Sequence, residues 1–295
     1  MKIGFIGTGV MGKSMAGHLL AAGHDLTVHT RTREKAADLL GQGAKWADSA
    51  AEAALDSDVA ISMVGFPADV EEIHLGPHGT LSSSNPPSLL IDMTTSTPSL
   101  ARSLATEAAA RGISAIDAPV SGGDKGAREA SLSIMVGGSW EAVDRAMPLF
   151  EIMGRTIVFM GDAGAGQHTK MANQILVSSS MVGACEAILY AEAAGLDPRK
   201  MVEAVSQGAA ATWTIQNLAP RMLDGDFEPG FFVEHFVKDL GIALAESANL
   251  GLDLPGLAGA ARLYRLLESR GLGRKGTQAL LLLYREGGVA ATESL

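Results

Sequence analysis

Residues 2–12 read KIGFIGTGVMG, and the fold turns on them. Residues 2–6 are a short apolar run with the composition of a strand. Gly7-Thr8-Gly9-Val10-Met11-Gly12 follows directly as G-x-G-x-x-G and opens a helix expected over residues 11–22, stopped at Gly23. In that arrangement Gly7 permits the tight turn and Gly9 lets a pyrophosphate come close to the backbone. Gly12 lets helix and strand pack, and the helix N-terminus faces the phosphates. Glycine-rich hexads alone are common. Here a second strand, over residues 25–30, follows the helix, which is the context a dinucleotide-binding βαβ unit requires.

The end of that second strand selects the dinucleotide. A carboxylate there would hold the ribose hydroxyls of NAD. This chain has Thr30-Arg31-Thr32, with Lys35 one turn into the next helix and no acid at the position. An arginine flanked by hydroxyls suits a 2′-phosphate, so NADP is favoured over NAD; a solvated basic turn is the competing reading.

The alternation continues outward from this unit. A strand at 59–64 ends in Gly65-Phe66-Pro67, and one at 89–92 ends in Met93-Thr94-Thr95-Ser96-Thr97-Pro98. Thr97 reads as an N-cap and Pro98 as the first helical residue. Serines and prolines over 82–88 make a surface loop. Strands alternating with helices imply a doubly wound, mostly parallel sheet. Ligands of such sheets sit at the carboxyl ends of the strands, which puts Met63, Val64 and Thr95 beside the cofactor. A strand at 113–118 leads into Pro119-Val120-Ser121-Gly122-Gly123. One hydroxyl and two backbone N–H groups there can hold a carboxylate, or simply form another tight turn. Residues 131–136 and 156–160 are the last strands, joined by a helix over 140–153.

Strand signals nearly vanish after Gly161. Residues 161–195, GDAGAGQHTKMANQILVSSSMVGACEAILYAEAAG, contain no proline and suit one helix of roughly eight turns. Lys170, Asn173, Gln174, Val177 and Met181 share one stripe of it. Its first turns therefore line a polar site and the remainder is core; a surface lysine beside ordinary amides is the bland alternative. Further helices are expected at 199–207, 215–223, 237–250, 256–270 and 278–285, with Lys238 near a helix start. The chain thus reads as an α/β Rossmann domain (1–162) followed by an all-α domain (163–295), joined by a long interdomain helix.

Composition excludes several classes. With 23 Lys and Arg against 33 Asp and Glu, the net charge of −10 argues against non-specific nucleic-acid binding and anionic membrane surfaces. The N-terminal residues go straight into the glycine-rich pattern, so neither a secretory signal nor an apolar run of membrane-spanning length is expected. One cysteine, Cys185, lies mid-helix with no histidine nearby, so a buried structural thiol and a cytoplasmic location are expected. The seven histidines are scattered, and no metal site is expected.

Four stretches together resemble the β-hydroxyacid dehydrogenase family in order and spacing, across nearly the whole chain. They are GFIGTGVMG (4–12), DAPVSGG (117–123), GAGQHTKMANQ (164–174) and KDLGIAL (238–244). The resemblance implies a Rossmann domain plus a helical domain and NAD(P)-dependent interconversion of a small β-hydroxyacid with its semialdehyde. It implies Lys170 as the catalytic acid/base and Ser121, Gly122 and Gly123 as the loop for the substrate carboxylate. Asn173 and Gln174 would assist substrate binding, and Lys238 would lie beside the nicotinamide. Gln174 and the stretch APRMLDGDFEPGF (219–231) look more like the tartronate semialdehyde branch than the isobutyrate branch, whereas Thr30-Arg31-Thr32 departs from the Asp which that branch tends to carry. Glyoxylate or succinic semialdehyde reduction and imine reduction are alternatives on the same fold. A non-catalytic dinucleotide-binding scaffold is an alternative of another class, and Lys170 argues against both the imine and the scaffold readings. A homodimer or homotetramer is expected, from apolar stripes on the helical domain.

Overall fold

Short runs of Val, Ile and Leu set the strands, and their alternation sets two layers of core. The computed structural model describes residues 1–287. The chain divides into two units that meet between Lys170 and Met171, inside the long helix.

The first unit is built on nine strands. They are β1 (Lys2–Ile6), β2 (Asp25–His29), β3 (Lys45–Trp46), β4 (Val59–Ser62), β5 (Leu89–Asp92), β6 (Ser114–Asp117), β7 (Val120–Ser121), β8 (Leu132–Gly137) and β9 (Gly154–Gly161). They form one sheet in the order β3-β2-β1-β4-β5-β6-β8-β7, with β9 pairing β8. The pairs from β3 to β6 are parallel, β8 is antiparallel to β6 and β7, and β9 is parallel to β8. This is the doubly wound, mostly parallel sheet that the sequence implies.

The period of two decides which layer each side chain joins. Ile3, Phe5, Val59, Ile61, Leu89 and Ile91 pack in one core with Met15, Leu19, Val143 and Phe150. Their neighbours Ile6, Ala60 and Leu90 pack in another with Ala53, Ala54, Leu104 and Ala108. β4 and β5 are buried at every residue, as central strands covered on both faces are. The Thr97 hydroxyl accepts from Leu100 N, and the helix Pro98–Ala109 begins where the cap was read. The helix Trp140–Met153 likewise has its expected bounds.

Two strands and the long helix differ from expectation, as do two helices of the second unit described below. Val120 and Ser121, read as loop, form β7, because β8 offers them an antiparallel edge (Val120↔Ile134, Ser121↔Ser133). Two residues carry no periodicity that could announce this. β3 was not foreseen for the same reason. The third concerns membrane-length helices. The helix Ala165–Ala193 spans 29 residues and is long and apolar enough, by length and composition, to cross a bilayer, contrary to the expectation of no such run. Its Met181, Ala184, Cys185 and Ile188 pack instead in the helical core of the second unit, which asks for the same apolar composition.

The second unit is helical: Pro198–Val205, Trp213–Asn217, Ala219–Leu223, Val233–Asn249, Pro255–Leu267 and Leu280–Arg285 follow the long helix. Pro220 splits the helix expected over 215–223, since a proline suits a first turn and not an interior. The helix carrying Lys238 starts at Val233, a turn earlier than expected, so Lys238 lies in its second turn. Phe236 and Tyr264 meet edge to face at 4.7 Å in its core, and the Tyr264 hydroxyl donates to Thr277 O at 2.9 Å. Cys185 is fully buried, and burial pushes its thiol up to about 12, as suits a structural cysteine.

Candidate active site

The glycine loop after β1 has the shape a pyrophosphate needs. Gly7 takes φ +97°, and a Cβ there would stand 2.2 Å from Met63 O; a Cβ at Gly12 would stand 1.9 Å from Gly7 O. These two glycines are fixed by the chain's own packing. Gly9 differs, because a Cβ there meets nothing within 4 Å. The space in front of Gly9 is open to what approaches from outside. Thr8 Oγ1 is buried with no hydrogen-bond partner among the described residues. Val10 is exposed and Met11 caps the helix Gly12–Ala21, which has no acid in its first turn. Its positive end thus faces the loop unneutralised, as anion binding at a helix N-terminus requires. These features fit the diphosphate of a dinucleotide.

A buried brace holds the neighbouring strand ends. Met63 N donates to Ile6 O at 2.9 Å and Val64 N to Thr94 Oγ1 at 3.0 Å. Thr94 N and the Ser62 hydroxyl both donate to Asp92 Oδ1, at 3.1 and 2.8 Å. His74 links Ser62 (2.9 Å) to Thr80 (2.8 Å). Desolvation pushes the Asp92 carboxyl up to about 6 and the His74 imidazole down to about 4. A serine, a histidine and an aspartate meet here, but the acid sits on the serine and all three are buried. The cluster is a structural support for residues 63–64 and 94–95, with no accessible nucleophile.

Arg31, Thr32 and Lys35 follow β2. Thr32 precedes a short 3₁₀ turn, Arg33–Ala36, that contains Lys35. The Arg31 side chain is 82% exposed, and one guanidinium nitrogen lies 3.3 Å from Asp69 Oδ1. Asp69 also accepts from Phe66 N at 3.0 Å at the start of the helix Pro67–Leu75. The position after β2 carries no acid, yet the fold brings Arg31 one from 38 residues away. An exposed pair of this kind is worth about 0–1 kcal/mol, so it restrains Arg31 weakly.

Lys170 and the loop after β6 come together within the first unit. Lys170 is 6% exposed, and its ammonium donates to Val120 O at 2.8 Å. Ser121 is the next residue. Gly122 and Gly123 take φ +132° and +62°, which glycine alone adopts cheaply, and begin the helix Gly123–Arg128. The first N–H groups of a helix have no intrahelical acceptor, so the amides at the start of this helix are left to other partners. Asp117, at the end of β6, ties down the start of the long helix by accepting from Gly164 N (2.7 Å) and Gln167 N (2.8 Å). Burial raises its carboxyl above the usual range, against the pull of those backbone donors.

In the second unit Asn173 donates to Gln174 Oε1 at 2.8 Å, and Gln174 Nε2 donates to Asp239 Oδ2 at 2.6 Å. Lys238 is ion-paired with Asp239 at 2.9 Å. Asp239 is 1% exposed and contacts Gln174 and Lys238 directly, with Asn173 reached only through Gln174. It stood beside Lys238 in KDLGIAL, but a lone acid in a helix gives no signal that it faces a glutamine 65 residues away. One turn earlier, burial and the nearby Lys238 lower the His235 imidazole.

Comparison with known proteins shows the family and the fold. The NAD-binding domain of 6-phosphogluconate dehydrogenase matches residues 2–161, and the NAD-binding domain of NADP-dependent 3-hydroxyisobutyrate dehydrogenase matches residues 164–284. A probable 3-hydroxyisobutyrate dehydrogenase-like protein of Arabidopsis thaliana mitochondria is 51% identical over 95% of this chain and 84% of its own length. The 2-hydroxy-3-oxopropionate reductase of Escherichia coli is 38% identical over 92% of each. Among solved structures, Mycobacterium tuberculosis 3-hydroxyisobutyrate dehydrogenase with L-serine superposes with a TM-score of 0.86, at 30% identity over 96% of this chain and 99% of that one. Psf3 in complex with NADP+ and 2-OPP superposes with a TM-score of 0.88, at 26% identity over the same shares.

Proposed function

The chain belongs to the β-hydroxyacid dehydrogenase family of NAD(P)-dependent oxidoreductases, and from that premise we propose that it interconverts a small β-hydroxyacid and its semialdehyde using NADP. The observation that carries this reading is the buried Lys170 ammonium, held 2.8 Å from Val120 O beside Ser121, Gly122 and Gly123. A proton donor and a set of carboxylate donors then lie within one residue of each other, as a molecule with an oxygen two carbons from its carboxylate demands. The names of the relatives support the 3-hydroxyisobutyrate or 2-hydroxy-3-oxopropionate type.

Gly7 to Gly12 would hold the dinucleotide diphosphate, and Met63, Val64 and Thr95 would line its nicotinamide end. The cofactor, when bound, supplies or accepts the hydride. Lys170 does the proton work. Its ammonium donates to the carbonyl oxygen of the semialdehyde and transfers the proton as the carbinol forms; in the reverse direction it takes that proton back. The three donors of an ammonium let the Val120 contact coexist with donation to substrate. Ser121 and the amides of Gly122 and Gly123 anchor the carboxylate.

An aldehyde that keeps the size of a good substrate but lacks the carboxylate should therefore lose kcat/KM by on the order of 10²-fold or more, because charge-assisted donors are left unpaired. Steady-state rates on acid semialdehydes against their amides or esters measure this. Equal rates would remove Ser121–Gly123 as the anchor.

The NADP preference rests on Arg31, Thr32 and Lys35. A charged hydrogen bond is worth roughly 1.5–3 kcal/mol, so one Arg–phosphate contact gives about a ten- to hundredfold preference. The NADP+ bound to Psf3 supports the reading by similarity. The ratio of kcat/KM for NADPH over NADH should exceed one in the wild type and fall by about tenfold in Arg31→Ala. A wild-type preference for NADH, or an unchanged ratio in the variant, would overturn it.

A further inference from the structure

Gln167 lies one helical turn before Lys170 and is 0% exposed. Its side chain is fully used. Oε1 accepts from Ser96 N at 2.9 Å, and Nε2 donates to Thr94 O at 2.7 Å. A backbone N–H can only donate and a carbonyl can only accept, so the amide has one orientation here, and an ionised carboxylate of the same length could serve only one of the two partners. Its own N donates to Asp117 Oδ2 at 2.8 Å. Thr94, in turn, binds Asp92 through its N–H and Val64 N through its hydroxyl. The ends of β4, β5 and β6 and the first turn of the long helix are thus tied in one buried cluster, with Gln167 as the link between strand ends and helix. Lys170 is three residues on, about 4.5 Å along the axis at ~1.5 Å per residue.

We propose that Gln167 is a positioning residue: it clamps residues 94–96 at the end of β5 to the helical turn that carries Lys170. The cofactor-lining residues and the acid/base are then held at one separation. This rests on the reading that Thr95 lines the cofactor site and that Lys170 acts on the reacting oxygen. Neither Gln167 contact is with substrate or cofactor, so its effect passes through Thr94, Ser96 and the helix.

Two variants test it. Gln167→Leu removes both side-chain bonds at similar volume. Gln167→Glu keeps the acceptor for Ser96 N but, when ionised, sets a carboxylate oxygen against Thr94 O. A protonated carboxyl restores the donor, and burial favours that form. Each is compared with wild type for kcat per folded molecule across pH, equilibrium NADPH binding and Tm. Gln167→Leu should lose roughly 10- to 100-fold in kcat, since a displacement of about 1 Å can cost 10²-fold, and should bind NADPH several-fold more weakly. For Gln167→Glu the ratio of its kcat to that of wild type should rise as pH falls, with NADPH affinity recovering in parallel; the ratio cancels the titration of groups common to both enzymes. A merely structural role would lower Tm and leave kcat per folded molecule at the wild-type value with a flat ratio, and that result overturns the proposal. Should Gln167→Leu fail to fold, the pH dependence of Gln167→Glu decides. Should the wild type reduce no semialdehyde, the hydroxyacid reading fails, and NADPH affinity alone judges the clamp: weakened binding supports it, and unchanged binding sinks it.

Discussion

Lys170→Ala should lower kcat by on the order of 10²–10⁴, the usual contribution of a general acid/base, while NADPH binds with near wild-type affinity. The size follows from the site. The lysine is buried and its ammonium is fixed on Val120 O beside the anchoring loop, so its proton is delivered in a set geometry that water at the same spot would not reproduce. The loss should appear in kcat and kcat/KM together, because the contact strengthens as negative charge develops on the reacting oxygen. Lys170→Arg should not restore activity. A guanidinium is broader and holds its proton above the range a base can use. Near-normal turnover in Lys170→Ala would place the proton transfer elsewhere.

Gly9→Val should leave the fold intact and abolish useful cofactor binding. Gly9 carries none of the crowding that fixes Gly7 and Gly12: a Cβ there meets nothing within 4 Å. A valine would project into the space where the diphosphate approaches and hold it off the backbone. Losing two charge-assisted contacts at roughly 1.5–3 kcal/mol each raises Kd by about 10²–10⁴-fold. Tm without cofactor should stay within a few degrees of wild type. Gly12→Ala is the contrasting control, since its Cβ would overlap Gly7 O at 1.9 Å and the βα turn itself must move. Tight NADPH binding by Gly9→Val, or its failure to fold, would mean that the loop is built for another purpose.

Most of the first unit was legible because its signals are local. The bounds of β1, β5 and the helix Trp140–Met153, and the Thr97 cap, come from runs, periods and caps contained within a few residues. What could not be read is what the chain brings together over long separations. β7 exists because β8 lies alongside it. Asp69 reaches Arg31 across 38 residues, Asp239 reaches Gln174 across 65, and Gln167 reaches Ser96 across 71. Each acid or amide looks in the sequence like an ordinary surface residue. The glycine loop was read from its own hexad and its strand–helix context, whereas Lys170 and Ser121-Gly122-Gly123 were singled out by the resemblance of their stretches to the family. Their supporting groups were missed because an aspartate at a strand end has many common uses.

The most direct test of the account follows the hydride and the proton together. The enzyme is given NADPH deuterated at the transferable C4 position and a small acid semialdehyde, and the product is analysed for deuterium. The expected result is a β-hydroxyacid with deuterium on the carbinol carbon, formed by the wild type and slowed by on the order of 10²-fold or more in Lys170→Ala. Saturable NADPH binding with no deuterium transferred to any acid semialdehyde would contradict it.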